Sequence, residues 1–174
     1  SPNKIIEAMV KAGKKDLTVI CNDTSYPEIG SGLLVASGCV KKVIASHIGT
    51  NPITEQKMKE GTMEVELVPQ GTLAERVRIG GAGIGGFLTA TGVGTLAAEG
   101  KRTIEVEGKE YLLELPLRAD VALIGASVAD KHGNLIYRGT SQNFNPMMAT
   151  AADLVIAEVS ESVESLAPEA IKTP

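Results

Sequence analysis

Polar side chains follow three short apolar runs in the first half of the chain. Asn22 and Asp23 come after the first run, a polar segment at residues 46–51 after the second, and Gln70 after the third. Ligands of open α/β sheets bind beyond the carboxyl ends of the strands. Asn and Asp there serve equally well in turns or helix caps. Turn chemistry does not call for a glutamine between proline and glycine, so Gln70 is the candidate binding residue, and an ordinary loop residue is the alternative.

The chemistry that Gln70 offers is hydrogen bonding. A glutamine amide carries both donors and an acceptor. Recognition of a carboxylate or a thioester oxygen needs such a group. The position just before a predicted helix adds backbone amides and a helix dipole that favour negatively charged oxygens.

Seven glycines lie between residues 80 and 94. Gly81-x-Gly83-x-x-Gly86 matches the dinucleotide-binding string, but that string works only between a strand and a helix. Here a predicted helix precedes it and no helical pattern follows it. Helix stops and tight turns explain the glycines in one interpretation. We favour a loop whose backbone approaches a ligand or partner closely, with Gly80, Gly81, Gly83, Gly92 and Gly94 as its candidate residues.

The net charge and the distribution of apolar residues argue against several classes of function. The 174 residues carry a formal net charge of −4, which argues against a nucleic-acid partner because phosphate binding needs a basic surface. No run approaches the roughly 20 apolar residues of a membrane-spanning helix. The first residues lead into an amphipathic pattern that is unlike a signal peptide. We therefore expect a soluble cytoplasmic protein with neither a nucleic-acid nor a membrane partner.

Histidines and cysteines form no metal or nucleophile motif. His47 and His132 are the only histidines, and neither has a second ligand-type residue at metal-binding spacing. A Ser-His-Asp triad likewise has little support. Cys21 and Cys39 lie far apart, and we expect two reduced, partly buried thiols. We expect no bound metal.

The elements that position these residues alternate between helix and strand. Ser1 is predicted to cap a first helix that Gly13 ends. Thr72 and Glu75 form a capping box, which predicts a helix over residues 72–79. Alternation of this kind implies a mostly parallel sheet covered on both faces. The predicted strands of this half are residues 17–21, 42–46 and 63–68, and its other helices are residues 31–37 and 53–59.

The second half adds an antiparallel portion. Glu107-Gly108-Lys109 separates two apolar runs and predicts a hairpin of residues 103–106 with residues 111–115. Further strands are predicted at residues 121–127, 135–137 and 154–159, and a helix at residues 145–152. No repeat or linker interrupts the pattern. We predict one α/β domain over residues 1–174, with a single open, mostly parallel sheet, helices on both faces and an added β-hairpin.

The string Pro-Gln-Gly-Thr-Leu-Ala-Glu-Arg at residues 69–76 resembles the alpha subunit of family I coenzyme A transferases. Further matches are Gly-Gly-Ala-Gly at residues 80–83, Thr-Ala-Thr-Gly-Val-Gly-Thr at residues 89–95 and Asn-Phe-Asn-Pro at residues 143–146. The resemblance covers almost the whole chain. It is to subunits of acetate/butyrate–acetoacetate CoA-transferases and to the amino-terminal half of succinyl-CoA:3-ketoacid CoA-transferase.

The resemblance implies a ping-pong reaction in which a glutamate of a beta subunit becomes a glutamyl-CoA thioester. That glutamate lies in a Ser-Glu-Asn-Gly motif, which this sequence lacks. It further implies a heterotetramer of two alpha and two beta subunits, and coenzyme A as a substrate without any other cofactor. Asn22, Asp23 and Gln70 match the family's substrate pocket. Asp23 departs from the Asn–Asn pair of some relatives.

Members of the family also carry a glycine-rich loop near the amino end and a strand beyond the position of Pro174. We expect the family's first helix and strand and its last strand to lie outside this sequence. Two alternatives stay open from the residues. One is a non-catalytic module that binds short-chain acids or acyl-CoA. The other is a sugar-phosphate isomerase-like enzyme. Binding of a sugar phosphate calls for Lys or Arg at the strand ends, and the Asn, Thr and Gln side chains found there favour a neutral or carboxylate-sized acyl group.

Overall fold

A computed structural model of the chain describes residues 2–174. Ser1, the predicted cap of the first helix, lies outside the described residues. The helices are α1 (Asn3–Lys11), α2 (Ser31–Ala36), α3 (Pro52–Lys59), α4 (Gln70–Ala82) and α5 (Asn145–Thr150). The strands are β1 (Leu17–Asp23), β2 (Val40–His47), β3 (Glu64–Leu67), β4 (Phe87–Thr89), β5 (Thr103–Val106), β6 (Lys109–Glu114), β7 (Ala119–Asp130), β8 (Leu135–Ile136) and β9 (Ala152–Val163).

The described chain divides into two compact units. The larger unit comprises residues 3–76 and 86–115, and the smaller unit comprises residues 2, 77–85 and 116–174. The boundary therefore falls inside the sequence of α4. The prediction of one domain over residues 1–174 stays a prediction, because units of packing are not the same as domains.

In the larger unit, β1, β2 and β3 form a parallel sheet in that order. Val43, Ile44 and Ala45 of β2 are buried, as expected for the central strand of a parallel sheet. Ile20 pairs with Ile44 and Ala45 pairs with Leu67. This register brings the carboxyl ends of all three strands to one edge.

A second sheet of the same unit is antiparallel, in the order β4-β6-β5. Its hairpin is confirmed: Val106 pairs with Lys109 across Glu107 and Gly108, both of which have positive φ. Two central residues with positive φ make the type I′ turn that matches strand twist. Strand β4 was not predicted, because its three residues lie inside the glycine-dense segment and show no periodicity.

The smaller unit contains a mixed sheet in the order β8-β7-β9. Strands β7 and β9 run parallel over twelve residues each, longer than the predicted strands. Ile124 and Tyr137 lie in its buried core. Asp130 ends β7 and accepts hydrogen bonds from the His132, Asn134 and Leu166 amides. The Asn134 side chain leads these contacts in lowering the pKa of Asp130 to about 2, so this turn is held by a carboxylate.

The α/β class and the open sheets are confirmed, whereas the single sheet is wrong. Hydrogen bonds divide the strands into three sheets of three strands each. Sequence periodicity identifies strands but not their partners, so the hairpin's separate sheet and the separate β7–β9 pair were not visible. No described helix is long and apolar enough to cross a membrane.

The predicted capping box is also wrong. The Leu73 amide donates to the Pro69 carbonyl at 2.9 Å, so α4 begins at Gln70, two residues before Thr72. Thr72 is a buried residue inside the first turn. Helix α4 also continues through Gly80 and Gly81 to Ala82. Proline fits just before a helix because its missing N–H is not needed there, which explains the earlier start.

Candidate functional site

A carbonyl of β1, a hydroxyl of β2 and the first side chain of α4 meet at one edge of the larger unit. Cys21 pairs with Ala45 and Asp23 pairs with His47, so Asn22 and Ser46 stand at the same level of the sheet. The Ser46 hydroxyl donates to the Asn22 carbonyl at 2.7 Å and to the side-chain oxygen of Gln70. We call Asn22, Ser46 and Gln70 the strand-end cluster.

The cluster contains two of the three predicted binding residues and one that was not singled out. Gln70 is exposed and occupies the first position of α4. The sequence had predicted that it would lie in the loop before that helix. Ser46 lay in a recognised polar segment, yet its hydroxyl could equally have formed a turn. The signal that identifies it is the parallel register, which places it opposite Asn22 at the edge where α4 begins.

Asp23 takes the turn role that its residue type left open. Its carboxylate accepts a hydrogen bond from the Ser25 amide, and its carbonyl accepts one from the Ser31 hydroxyl at 3.0 Å. Ser25 has a positive φ of 52°, which is consistent with a tight Asx-type turn. Within the described residues, this hydrogen bond ties the carboxylate to its own loop. Its role in binding substrate stays a prediction.

The loops beside the cluster are held by a buried asparagine. Asn51 donates to the Thr24 carbonyl at 3.0 Å and accepts from the Ile53 and Thr54 amides at 3.1 and 3.2 Å. It thus caps α3 and ties that helix to the loop after β1. Buried polar groups satisfied in this way rigidify their surroundings, so the backbone on which the cluster rests is well defined.

A charged network holds the helix that carries Gln70. Arg76 of α4 donates to Glu66 at 2.9 Å and to the Leu115 carbonyl at 2.9 Å. Lys42 forms ion pairs with Glu64 at 2.6 Å and with Glu66 at 3.3 Å.

The network extends to a buried carboxylate on β6. The Arg76 guanidinium lies 3.8 Å from the carboxylate of Glu114, and Lys101 forms an ion pair with that carboxylate at 2.5 Å. Strands β2, β3 and β6 are therefore linked to the first turns of α4.

These contacts shift the pKa values of two groups in the network, Lys42 and Glu66. The hydrogen bond to Glu64 is the main cause that raises the pKa of Lys42. Burial alone would raise the pKa of Glu66, but the hydrogen bond and charge of Arg76, aided by Lys42, lower it. Both groups therefore stay charged at neutral pH, and the network remains intact there.

Cys21 lies next to the cluster in sequence but is not a nucleophile. Burial, with a smaller effect of Asp23, raises the pKa of its thiol to about 12. A thiol with that pKa is protonated at neutral pH, and only the thiolate attacks. Both cysteines are free, as predicted.

The family can now be assigned from comparison with known proteins. Residues 1–174 match the coenzyme A transferase family. The chain belongs to this family. The resemblance of residues 69–76 to coenzyme A transferases is therefore confirmed.

Two relatives with known names align with the entire chain. It is 54% identical to the acetate CoA-transferase subunit alpha of Escherichia coli (strain K12), covering 100% of this chain and 80% of that protein. It is 53% identical to the acetoacetyl-CoA:acetate/butyrate CoA transferase alpha subunit of Clostridium acetobutylicum, covering 100% and 81%. Both of these relatives are named as alpha subunits of CoA transferases.

Solved structures show the same fold. The acyl-CoA transferase YdiF apoenzyme of Escherichia coli O157:H7 aligns with a TM-score of 0.86 at 20% identity, over 100% of this chain and 39% of that chain. A cysteine-to-serine variant of the decarboxylase AibA/AibB aligns with a TM-score of 0.82 at 27% identity, over 99% and 68%. The fold therefore carries more than one reaction, and the site must decide the function.

The five glycines of the predicted loop serve different purposes. Gly80 and Gly81 are helical. A Cβ on Gly80 would lie 2.0 Å from the Leu117 carbonyl oxygen, and one on Gly81 would lie 2.1 Å from the Thr150 hydroxyl. They therefore lie in α4 and not in a loop, and close packing within the smaller unit requires them to lack a side chain. Their contact with a partner stays a prediction.

The remaining three glycines lie in turns. Gly83, Gly92 and Gly94 all have positive φ. Gly83 follows α4, and the Ile84 amide donates to the Ile79 carbonyl at 3.0 Å, which is the Schellman pattern of a helix end. Contact of these glycines with a partner stays a prediction.

The strand-end cluster can bind and orient an oxygen atom but supplies no strong nucleophile of its own. It offers the NH₂ group of Gln70 and the amino-terminal end of α4, which favours negatively charged oxygens. Among residues 2–174, no group of three His, Cys, Asp or Glu side chains is placed to hold a metal ion. The cluster's chemistry is that of hydrogen-bond donation.

Proposed function

We propose that the chain is the alpha-type subunit of a cytoplasmic coenzyme A transferase. The enzyme moves CoA between a short-chain acyl-CoA and a short-chain or 3-oxo carboxylic acid. The observation that carries this proposal is the alignment of the whole chain, at 54% and 53% identity, with proteins named as alpha subunits of such enzymes. It favours a transferase over both the binding module and the sugar-phosphate isomerase.

The covalent steps belong to a beta-type partner. Its glutamate carboxylate attacks the thioester carbonyl, the C–S bond breaks, and CoA leaves as a thiolate with an acyl–glutamyl anhydride formed. The thiolate then attacks the glutamyl carbonyl, which releases the donor acid as a carboxylate and leaves a glutamyl-CoA thioester. The acceptor acid reverses these steps. The absence of a Ser-Glu-Asn-Gly string from this sequence supports placing the nucleophile on the partner.

This chain's contribution is to bind and stabilise oxygen atoms. The Gln70 amide donates to the substrate carboxylate or to the thioester oxygen, which gains negative charge as the carbonyl is attacked. A donor placed for that charge stabilises the transition state more than the bound substrate. The placement of Gln70 on the first turn of α4, held by the Arg76 network, supports this role. Asn22 and Asp23 form the adjoining wall of the pocket.

The assembly that we propose is a heterotetramer of two alpha and two beta subunits, with CoA as a substrate and no further cofactor. Gly83, Gly92 and Gly94 lie near the contact with the beta subunit, since a backbone without side chains permits close approach. Their positive φ values support turns at these three positions.

Reconstitution tests the proposed function. The chain is mixed with a beta-type subunit that carries Ser-Glu-Asn-Gly, and transfer of CoA from acetyl-CoA to butyrate or acetoacetate is measured. We expect activity only from the mixture, with the parallel double-reciprocal plots of a ping-pong reaction. Transfer by this chain alone at the rate of the mixture would contradict the proposal, as would a mixture that hydrolyses acyl-CoA without transferring CoA to any acid.

A further inference from the structure

The Ser46 hydroxyl lies between two acceptors and carries only one hydrogen. It is within 2.7 Å of the Asn22 carbonyl and donates also to the Gln70 side-chain oxygen. The hydrogen is therefore shared between the two acceptors or moves from one to the other. A backbone carbonyl in a strand is fixed, whereas an exposed glutamine side chain is mobile. The hydroxyl thus connects a rigid group to the end of a flexible one.

The orientation of the Gln70 amide depends on this contact. The terminal torsion of a glutamine is broad, and its two ends are related by a half turn. With the amide oxygen bound by Ser46, the NH₂ group points away from Ser46 and keeps its donors for a ligand. In the structure it is the amide oxygen, and not the NH₂ group, that contacts the hydroxyl, and removal of the hydroxyl removes that contact.

We propose that Ser46 is a positioning residue that presents the NH₂ group of Gln70 to the substrate oxygen. This inference rests on the proposed function, in which Gln70 donates to an oxygen that becomes negative. As that oxygen gains charge, the bond from the Gln70 NH₂ strengthens and the amide oxygen becomes a better acceptor. The shared hydrogen of Ser46 then moves from the Asn22 carbonyl towards Gln70, since linked hydrogen bonds reinforce one another. Ser46 therefore contributes most in the transition state.

The first test is the kinetics of Ser46→Ala in the reconstituted heteromer. We expect kcat to fall about tenfold, as for the loss of one orienting hydrogen bond, with the KM values of both substrates within about twofold of the wild type. Ser46→Thr keeps the hydroxyl and should restore most of kcat. The control is Ser37→Ala, which removes a serine hydroxyl that donates to the Leu34 carbonyl at 3.0 Å and should leave the kinetics unchanged.

The second test asks whether Ser46 acts through Gln70. If it does, Ser46→Ala should cause no further loss in a Gln70→Ala background. Additive losses in the double variant would overturn the proposal, because Ser46 would then act independently. Wild-type kcat in Ser46→Ala, with Gln70→Ala slow, would overturn it while leaving the proposed function intact. Wild-type kcat in both single variants would overturn it and the role of Gln70 together.

A third readout does not depend on activity. The chain has three glutamines, Gln56, Gln70 and Gln142, so the side-chain NH₂ signals of Gln70 can be assigned in an NMR spectrum by their loss in Gln70→Ala. Ser46→Ala should shift these signals and leave those of Gln56 in place. Unchanged Gln70 signals would overturn the proposal even if the heteromer transferred no CoA, in which case the proposed function would fail separately.

Discussion

The strand-end cluster and the glycine segment at residues 80–94 are positioned in two opposite ways. Hydrogen bonds from side chains hold the first, and the lack of side chains allows close packing in the second. In the cluster, the Ser46 side chain of β2 hydrogen-bonds to the backbone carbonyl of Asn22 on β1 and to the side chain of Gln70 on α4. In the glycine segment, the absence of side chains does the positioning. Gly80 and Gly81 let a helix approach Leu117 and Thr150 at distances that no Cβ permits.

The difference lies in what fixes each arrangement. Parallel strands in one register place their carboxyl ends together, so the identities of the last residues of β1 and β2 and of the first residue of α4 determine the cluster. Glycine removes a constraint and does not specify which conformation follows. Within one segment it therefore serves helix packing at Gly81, a helix end at Gly83 and turns at Gly92 and Gly94. Side chains in the cluster should control turnover, and the helical glycines should control stability.

Replacement of Gln70 should have the largest effect. In the heteromer, we expect Gln70→Ala to lower kcat about 100-fold, because one oxyanion donor contributes roughly 3 kcal/mol in a dry site. Gln70→Glu should be slower still with carboxylate substrates, since it places like charges together. Steady-state kinetics of the assembled variants measure both effects.

The control for this prediction is Gln56→Ala. Gln56 is a glutamine on the exposed surface of α3, where it binds Glu60 at 2.8 Å, and its loss should leave kcat unchanged. Wild-type turnover and substrate affinity in both Gln70 variants would return Gln70 to the role of an ordinary first-turn residue.

A smaller effect is expected from two glycines of the same helix. A Cβ at Gly81 would lie 2.7 Å from the Thr150 Cβ and 2.9 Å from its carbonyl carbon, whereas one at Gly71 would meet nothing within 4 Å. Gly81→Ala should lower the free energy of unfolding by about 2 kcal/mol through overpacking. Gly71→Ala should raise it by about 0.5–1 kcal/mol through helix propensity.

Urea unfolding of the two variants measures this contrast within one element. Equal destabilisation by both substitutions would show that glycine acts in α4 through the backbone alone, and that close packing at Thr150 contributes nothing. A stabilised Gly81→Ala would contradict the packing explanation directly.

The sequence predicted the cluster's location better than its members. Apolar runs ending in polar residues identified the carboxyl ends of β1, β2 and β3, and Gln70 was chosen because no turn requires it. Ser46 could not be distinguished from a turn residue until the register placed it beside Asn22. Asp23 was assigned to the pocket by family resemblance, and that role stays a prediction; its carboxylate accepts a hydrogen bond from the Ser25 amide of its own loop.

The rest of the fold was limited by what periodicity can show. The start of α4 was misplaced because Thr72 and Glu75 imitate a capping box, while Pro69 accepts the first helical hydrogen bond. The end of α4 was misplaced because glycine usually stops a helix, and the contacts that favour Gly80 and Gly81 come from residues 37 or more positions away. Such distant contacts leave no local pattern.

The location of the covalent intermediate tests most directly whether this chain supports a nucleophile on its partner. The heteromer is incubated with an acyl-CoA, the thioester intermediate is trapped with borohydride or hydroxylamine, and both chains are digested for mass spectrometry. We predict modification of one glutamate of the beta-type subunit and of none of the 21 aspartates and glutamates in this chain. Modification of a carboxylate in this chain, in proportion to the activity lost, would contradict the account.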